Sequence, residues 1–190
     1  HEAGHAVAAA SLRLLGYDAS VFLLDTGEFA GIYREPRGSS DIAHMALDMV
    51  AKDGWNEWRR RRKGLEWYEI LKQSAKHRLI MHMAGAMAAG MYGGGCDAAE
   101  VLETGHEFFT GAECVCFTGY DHFSNDCDPY ADDCDHGRAF RLARLLYPTK
   151  AGIGKRGMGA LERAWSQTGE LLAVPEIRET VAALATELLH

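Results

Sequence analysis

The first five residues, His1-Glu2-Ala3-Gly4-His5, run directly into the apolar stretch Ala6 to Leu15, and no other feature constrains the fold as tightly. Side chains four apart on a helix lie on one face, one turn above the other, so the two imidazoles can share one metal ion. Glu2 then stands where a general base must be to take a proton from an attacking water. The motif therefore predicts a first helix from His1 to about Leu15. Val7, Ala10, Leu12 and Leu15 keep helical spacing, and Gly16 supplies a C-terminal stop.

Beyond that helix, Ser20 to Leu24 and Phe29 to Tyr33 are short β-prone runs joined by Asp25-Thr26-Gly27-Glu28, which reads as a hairpin. A strand edge beside a zinc helix can pair with the backbone of an extended peptide. Pro36 to Ser40 interrupts the chain, and Asp41 to Lys52 then fits an amphipathic helix with Ser40 as N-cap, ending near Gly54. Leu65 to Tyr92 reads as one long helix or two in line, closed by Gly93-Gly94-Gly95. Cys96 to Cys134 is irregular and long enough for a functional insertion. Helical pattern resumes from about Asp132, with Ala139, Leu142, Ala143 and Leu146 on one face, and ends at Pro148, a Gly-rich link spans Ala151 to Gly159, and two helices follow, Leu161 to Ala173 and Glu176 to Leu189. The expected architecture is a single domain over residues 1–190, mainly α (α+β), with one small β-hairpin and an insertion at about 96–134.

At 190 residues the chain can bury a substantial core, and 47% hydrophobic with 25% charged residues is the composition of a water-soluble globular protein. A net charge of -7 argues against nucleic acid as a partner. The one basic run, Arg59 to Lys63, reads as a solvated helix face or turn. Leu79 to Gly95, the longest apolar stretch, carries His82 and several glycines and falls short of the ~20 apolar residues a membrane span requires, so it is expected to be a buried core helix. No signal peptide is legible, and five cysteines in no zinc-ribbon spacing predict reduced thiols and a cytoplasmic location. A natural chain does not start with histidine, so residues upstream of His1 are expected.

A catalytic zinc takes three protein ligands and keeps one position open, so the two histidines need a partner from elsewhere. The acidic cluster Asp126, Asp128, Asp132, Asp133 and Asp135 is the richest source, and Asp135 stands at the head of a helix, where the backbone is fixed and a carboxylate suits the positive helix end. Acidic residues also occur at helix starts for capping alone. His44, His77 and His82 read individually as core or surface histidines, and the spacing of His77 and His82 does not put them on one face.

His1 to Ala6, followed by Val21-Phe22-Leu23-Leu24-Asp25-Thr26-Gly27-Glu28-Phe29-Ala30-Gly31, resembles the peptidase domain of FtsH-type ATP-dependent zinc metalloproteases, in which an H-E-A-G-H-A helix precedes a short strand, a turn and a second, glycine-containing strand. Gly85-Ala86-Met87-Ala88-Ala89 takes the position of that family's G-R-A-A-E helix, with Ala86 and Ala89 in place of its Arg and Glu. Asp135 to Arg144 resembles its D-x-x-x-A-x-x-L-A-R segment, whose aspartate is the third zinc ligand; Ser124-Asn125-Asp126 resembles the same segment's S-N-D and makes Asp126 the rival. The resemblance implies a helical zincin-like metallopeptidase domain that binds zinc through His1, His5 and Asp135, with Glu2 as the catalytic base.

No G-x-x-x-x-G-K-[ST] phosphate loop occurs in these residues, so the expected substrate is a flexible or unfolded polypeptide, with a homo-oligomer or a separate ATPase as possible partners. The alternative is a catalytically inactive, peptidase-like domain that binds metal or a partner, for which the absent Arg and Glu and the insertion rich in Asp and Cys speak. Cys114-Val115-Cys116 with Cys127 and Cys134 is a weaker candidate for a second metal or redox site.

Overall fold

The computed structural model describes residues 1–14, 18–23, 29–34, 42–92, 135–150 and 153–189. These form seven α-helices and one antiparallel strand pair. The insertion expected at about 96–134, with its cysteines and with Asp126, Asp132 and Asp133, lies outside the described residues, as do the turn at 25–28 and Gly16.

Helix α1 spans Glu2–Ser11 and ends a turn earlier than its apolar spacing predicts. The reason is a local cap. Arg13 takes the left-handed conformation (φ 56°), so that its N–H donates to Ala10 O at 3.0 Å and the N–H of Leu14 reaches back to Ala9 O at 2.8 Å. This is the bond pattern of a Schellman motif, here with arginine where glycine is usual, and it stops the helix before Gly16 is reached.

Strands β1 (Asp18–Leu23) and β2 (Phe29–Arg34) pair antiparallel, from Asp18 opposite Arg34 to Leu23 opposite Phe29. Both lie against α1. Helix α2 (Ile42–Asp53) falls within a residue of its expected bounds. Gly54, at φ 84°, then turns the chain into α3 (Trp55–Arg61), a helix the sequence pattern left unassigned, followed by a 3-10 turn over Arg62–Gly64.

Helix α4 (Tyr68–Tyr92) is the axis of the fold: α1, α2, α5 (Asp135–Leu146) and α6 (Gly154–Leu172) all pack on it. Its sequence has no single apolar stripe because from Leu79 to Ala88 it is enclosed on nearly every side, with Leu79, Met81, Met83, Ala84 and Met87 buried. Leu71, Leu142, Leu145, Leu161 and Leu172 join the same core. Thr168 hooks α6 onto α4, its hydroxyl donating to Ala164 O at 2.7 Å and to Ile80 O at 3.3 Å.

Two tight approaches depend on glycine. A Cβ on Gly4 would come within 2.5 Å of Ala84 O and 2.6 Å of Ala88 Cβ, so the small residue of the first motif is what lets α1 lie on α4. The stretch expected as a Gly-rich link at Ala151 to Gly159 is instead helical from Gly154 onward. Gly157 packs against Ile153, which leaves Leu161 and Ala164 to face the core.

The basic run has a structural role. Arg62 Nη1 and the Tyr68 hydroxyl donate to Leu146 O at 2.6 and 3.1 Å, and Trp58 Nε1 donates to Leu145 O at 2.9 Å, so carbonyls at the end of α5 are satisfied from α3 and α4. Arg60 and Arg61 pair on the surface with Glu57 and Asp53. Helix α7 (Pro175–Leu188) closes the chain against α1 and α6. No helix among the described residues is long and apolar enough to cross a membrane.

Candidate metal centre

Two helices, α1 and α5, meet at the head of α1, with α4 behind them. His1 and His5 come from α1 and its preceding residue, one turn apart as the motif requires, and Asp135 comes from the first turn of α5. Their ligand atoms form a tight triangle: His5 Nε2 to Asp135 Oδ2 is 2.9 Å, His1 Nε2 to Asp135 Oδ2 is 3.2 Å, and the two Nε2 atoms are 3.1 Å apart. Among the described residues this is the group of His, Cys, Asp and Glu side chains able to hold a metal ion.

Protonation decides what that triangle means. His5 Nδ1 lies 2.7 Å from Met81 O, a carbonyl that can only accept, so Nδ1 carries a proton and Nε2 is the atom left to take a further proton or to ligate a metal. Nε2 faces a carboxylate oxygen and a second imidazole nitrogen, three groups that can share protons or converge on a cation. Tetrahedral zinc with ligands at about 2.0–2.2 Å sets neighbouring ligand atoms about 3.3 Å apart, so the triangle need open by only a few tenths of an ångström. Two neutral nitrogens and one carboxylate form a donor set that suits zinc and leaves a fourth position free.

His82, which its spacing marks as an ordinary core histidine, completes the arrangement. It projects from α4, 2% exposed, and its Nδ1 sits 3.1 Å from Asp135 Oδ1, the oxygen that does not face the triangle. A ligating carboxylate held by a second hydrogen bond has a fixed orientation, and the Met81 carbonyl does the same for His5. The sequence signal for this role is slight. His82 precedes Gly85 by three residues, on the same face of α4, and Gly85 is where the His5 ring rests: a Cβ there would overlap the imidazole.

Burial is graded across the site. His5 is 1% exposed, whereas the side chains of His1 and Asp135 keep 19% and 25%, so the triangle opens to solvent on the His1 and Asp135 side. Glu2 lies beside it, with Oε1 3.9 Å from His1 Nε2, while Oε2 is buried and has no hydrogen-bond partner among the described residues. Burial pushes the Glu2 carboxyl above its ordinary value; His5 opposes this and the Asp135 charge adds to it. Burial would also raise Asp135, but the charge and hydrogen bond of His5, together with those of His82, outweigh it and hold that carboxyl below the ordinary range. Two carboxyls in one pocket are thus pushed apart, one toward accepting a proton and one toward remaining an anion.

Of the expected site residues, His1, Glu2, His5 and Asp135 come together, and the rival Asp126 lies outside the described residues. His77 stands apart, beside Gln73 on the exposed side of α4. No protein-family model, curated protein or solved structure matches the chain, so the site stands on its own geometry.

Proposed function

We propose that the chain is a zinc-dependent metallopeptidase that cleaves flexible or unfolded polypeptides, of the kind its resemblance to FtsH-type peptidase domains implies. The observation that carries this reading is the convergence of His1 Nε2, His5 Nε2 and Asp135 Oδ2 at 2.9–3.2 Å, with the opposite nitrogen of His5 committed to Met81 O. A purely structural zinc site uses four protein ligands and no base. Here an open side and a buried carboxylate with a raised proton affinity speak for catalysis.

His1, His5 and Asp135 would hold the ion, and zinc, when bound, supplies a Lewis acid that polarises the scissile carbonyl and acidifies a water. Glu2 takes a proton from the attacking water at a carboxylate oxygen and returns it to the leaving amine. A carboxylate can serve both halves of that exchange. The strand pair lying on α1 offers an edge along which a substrate main chain can be held extended. No phosphate-loop motif lies in these residues, so the unfolding of a folded substrate is left to a partner.

The test pairs metal content with cleavage. Glu2→Gln is expected to keep about one zinc per chain while casein hydrolysis falls by at least ~10²-fold, the scale of general-base catalysis. Unchanged turnover in that variant rejects the mechanism. One zinc per chain with no hydrolysis of any unfolded substrate by the unaltered protein favours the inactive metal-binding domain instead.

A further inference from the structure

His82, which touches Asp135, also lines a cavity of about 500 Å³ walled by α2, α4, α5 and Trp55 of α3. Its described lining is cationic: Arg78, Arg138 and Arg141 contribute guanidinium groups, His44 and His82 contribute imidazoles, and Asp48 is the one carboxylate. Leu47, Trp55 and Leu142 supply an apolar remainder. Arg78 is 2% exposed, so water screens its charge little. A guanidinium carries five N–H donors in a planar fork, so an arginine already engaged by a protein neighbour keeps donors for a second acceptor.

The cavity and the metal centre are neighbours along two helices and share the buried His82. On α4, His82 touches Asp135 and Arg78 lies one turn back on the same face. On α5, Asp135 is followed at helical spacing by Arg138, Arg141 and Leu142. From Asp135 to Arg141 is about 9 Å along the helix axis. An extended peptide advances about 3.3 Å per residue and covers that distance in roughly three residues.

We propose that this cavity is a specificity subsite for a carboxylate, which would select peptides bearing an acidic side chain or a free C-terminus within about three residues of the cleaved bond. The proposal rests on the peptidase reading above and names its substrate class. An acidic group entering between Arg138 and Arg141 gains charge-assisted hydrogen bonds, and its methylenes lie against Leu142 and Trp55.

Binding can be measured without turnover. Zinc-loaded Glu2→Gln protein is titrated into fluorescein-labelled peptides of one sequence in which a single Glu is moved through the positions near the bond, each with Gln and Lys counterparts and with an amidated or free C-terminus. In one register the Glu peptide is expected to bind at least ~10-fold tighter than its Gln counterpart, as one charge-assisted hydrogen bond allows. Adding Arg141→Glu should abolish that contrast and favour the Lys peptide, with zinc content and melting temperature confirming the fold; Arg141→Gln, which should remove the contrast without reversing it, serves if the reversal does not fold. A preference confined to free C-termini assigns the terminal carboxylate as the ligand. Equal binding of Glu, Gln and Lys peptides with no effect of the free C-terminus, or an acidic preference that survives loss of Arg141, overturns the subsite. Casein cleavage by the unaltered protein reads the other question: cleavage without acidic preference overturns the subsite alone, and charge-selective binding without cleavage overturns the peptidase reading alone.

Discussion

Gly85 has no side chain, and the imidazole of His5 occupies the space a Cβ would need. The residue contributes nothing to the chemistry, yet it sets where a ligand can be. Gly85→Ala is expected to leave the helix content unchanged in circular dichroism and to weaken zinc binding by at least ~100-fold, the upper end of what disturbing a ligand's support costs. Retention of full zinc affinity would show that His5 does not need its present position. His82 acts on the other ligand, through its 3.1 Å contact with the Asp135 oxygen that faces away from the triangle. His82→Ala should lower zinc affinity about 10–100-fold without changing the stoichiometry, measured by competition with a chromophoric chelator. An unaltered affinity would reduce His82 to a packing residue. His5 was legible in the motif because its spacing alone puts it beside His1. Neither His82 nor Gly85 was, because each acts across a helix interface that spacing within one element does not encode.

Among the elements, α1 and α5 supply the candidate ligands and α4 supports both, and Gly4 controls how closely α1 approaches α4. With Ala84 O and Ala88 Cβ 2.5 and 2.6 Å from where its Cβ would stand, Gly4→Val must push α1 away from α4. The expected cost is about 1–3 kcal/mol, the range for overpacking a tight interface, read as a lower melting temperature of the metal-free protein. A variant that melts with the unaltered protein would mean the interface yields without strain. The helix bounds follow the same logic. The C-terminal ends of α2 and α5 were legible from the Gly54 and Pro148 that follow them, but the end of α1 was set by Arg13 adopting a conformation its sequence does not favour. Helix α3 went unassigned because its seven residues are too few to show a period, and its Trp58 is held by the carbonyl of Leu145, a residue distant in sequence.

At the scale of the molecule, the candidate metal centre joins the first helix to α5 across 130 residues of sequence, from His5 to Asp135, with α4 buttressing both. A ligand that binds only the folded state stabilises it by mass action, about 4 kcal/mol when free zinc exceeds Kd a thousandfold. For a chain of this length that is expected to raise the melting temperature by roughly 8–16 °C. Chelation should reverse the gain in both the unaltered protein and Glu2→Gln, and His5→Ala should show no gain at all. A melting curve indifferent to zinc in differential scanning fluorimetry would argue that the triangle holds no ion in solution.

The sequence by itself determined the parts whose information is local: two histidines and a glutamate on one helix, an acidic residue at the head of another, and a mainly helical fold with one pair of short strands. It also supplied the candidates for a third ligand, but not the choice, because several aspartates satisfy the same local rule. Only the tertiary structure decided that Asp135 meets His1 and His5, that His82 and the Met81 carbonyl orient the ligands, and that three arginines gather beside them. The reason is physical. Helical periodicity fixes which side chains share a face, whereas which faces meet depends on how closely backbones can approach, and here that was set by hydrogen atoms in place of side chains at Gly4 and Gly85.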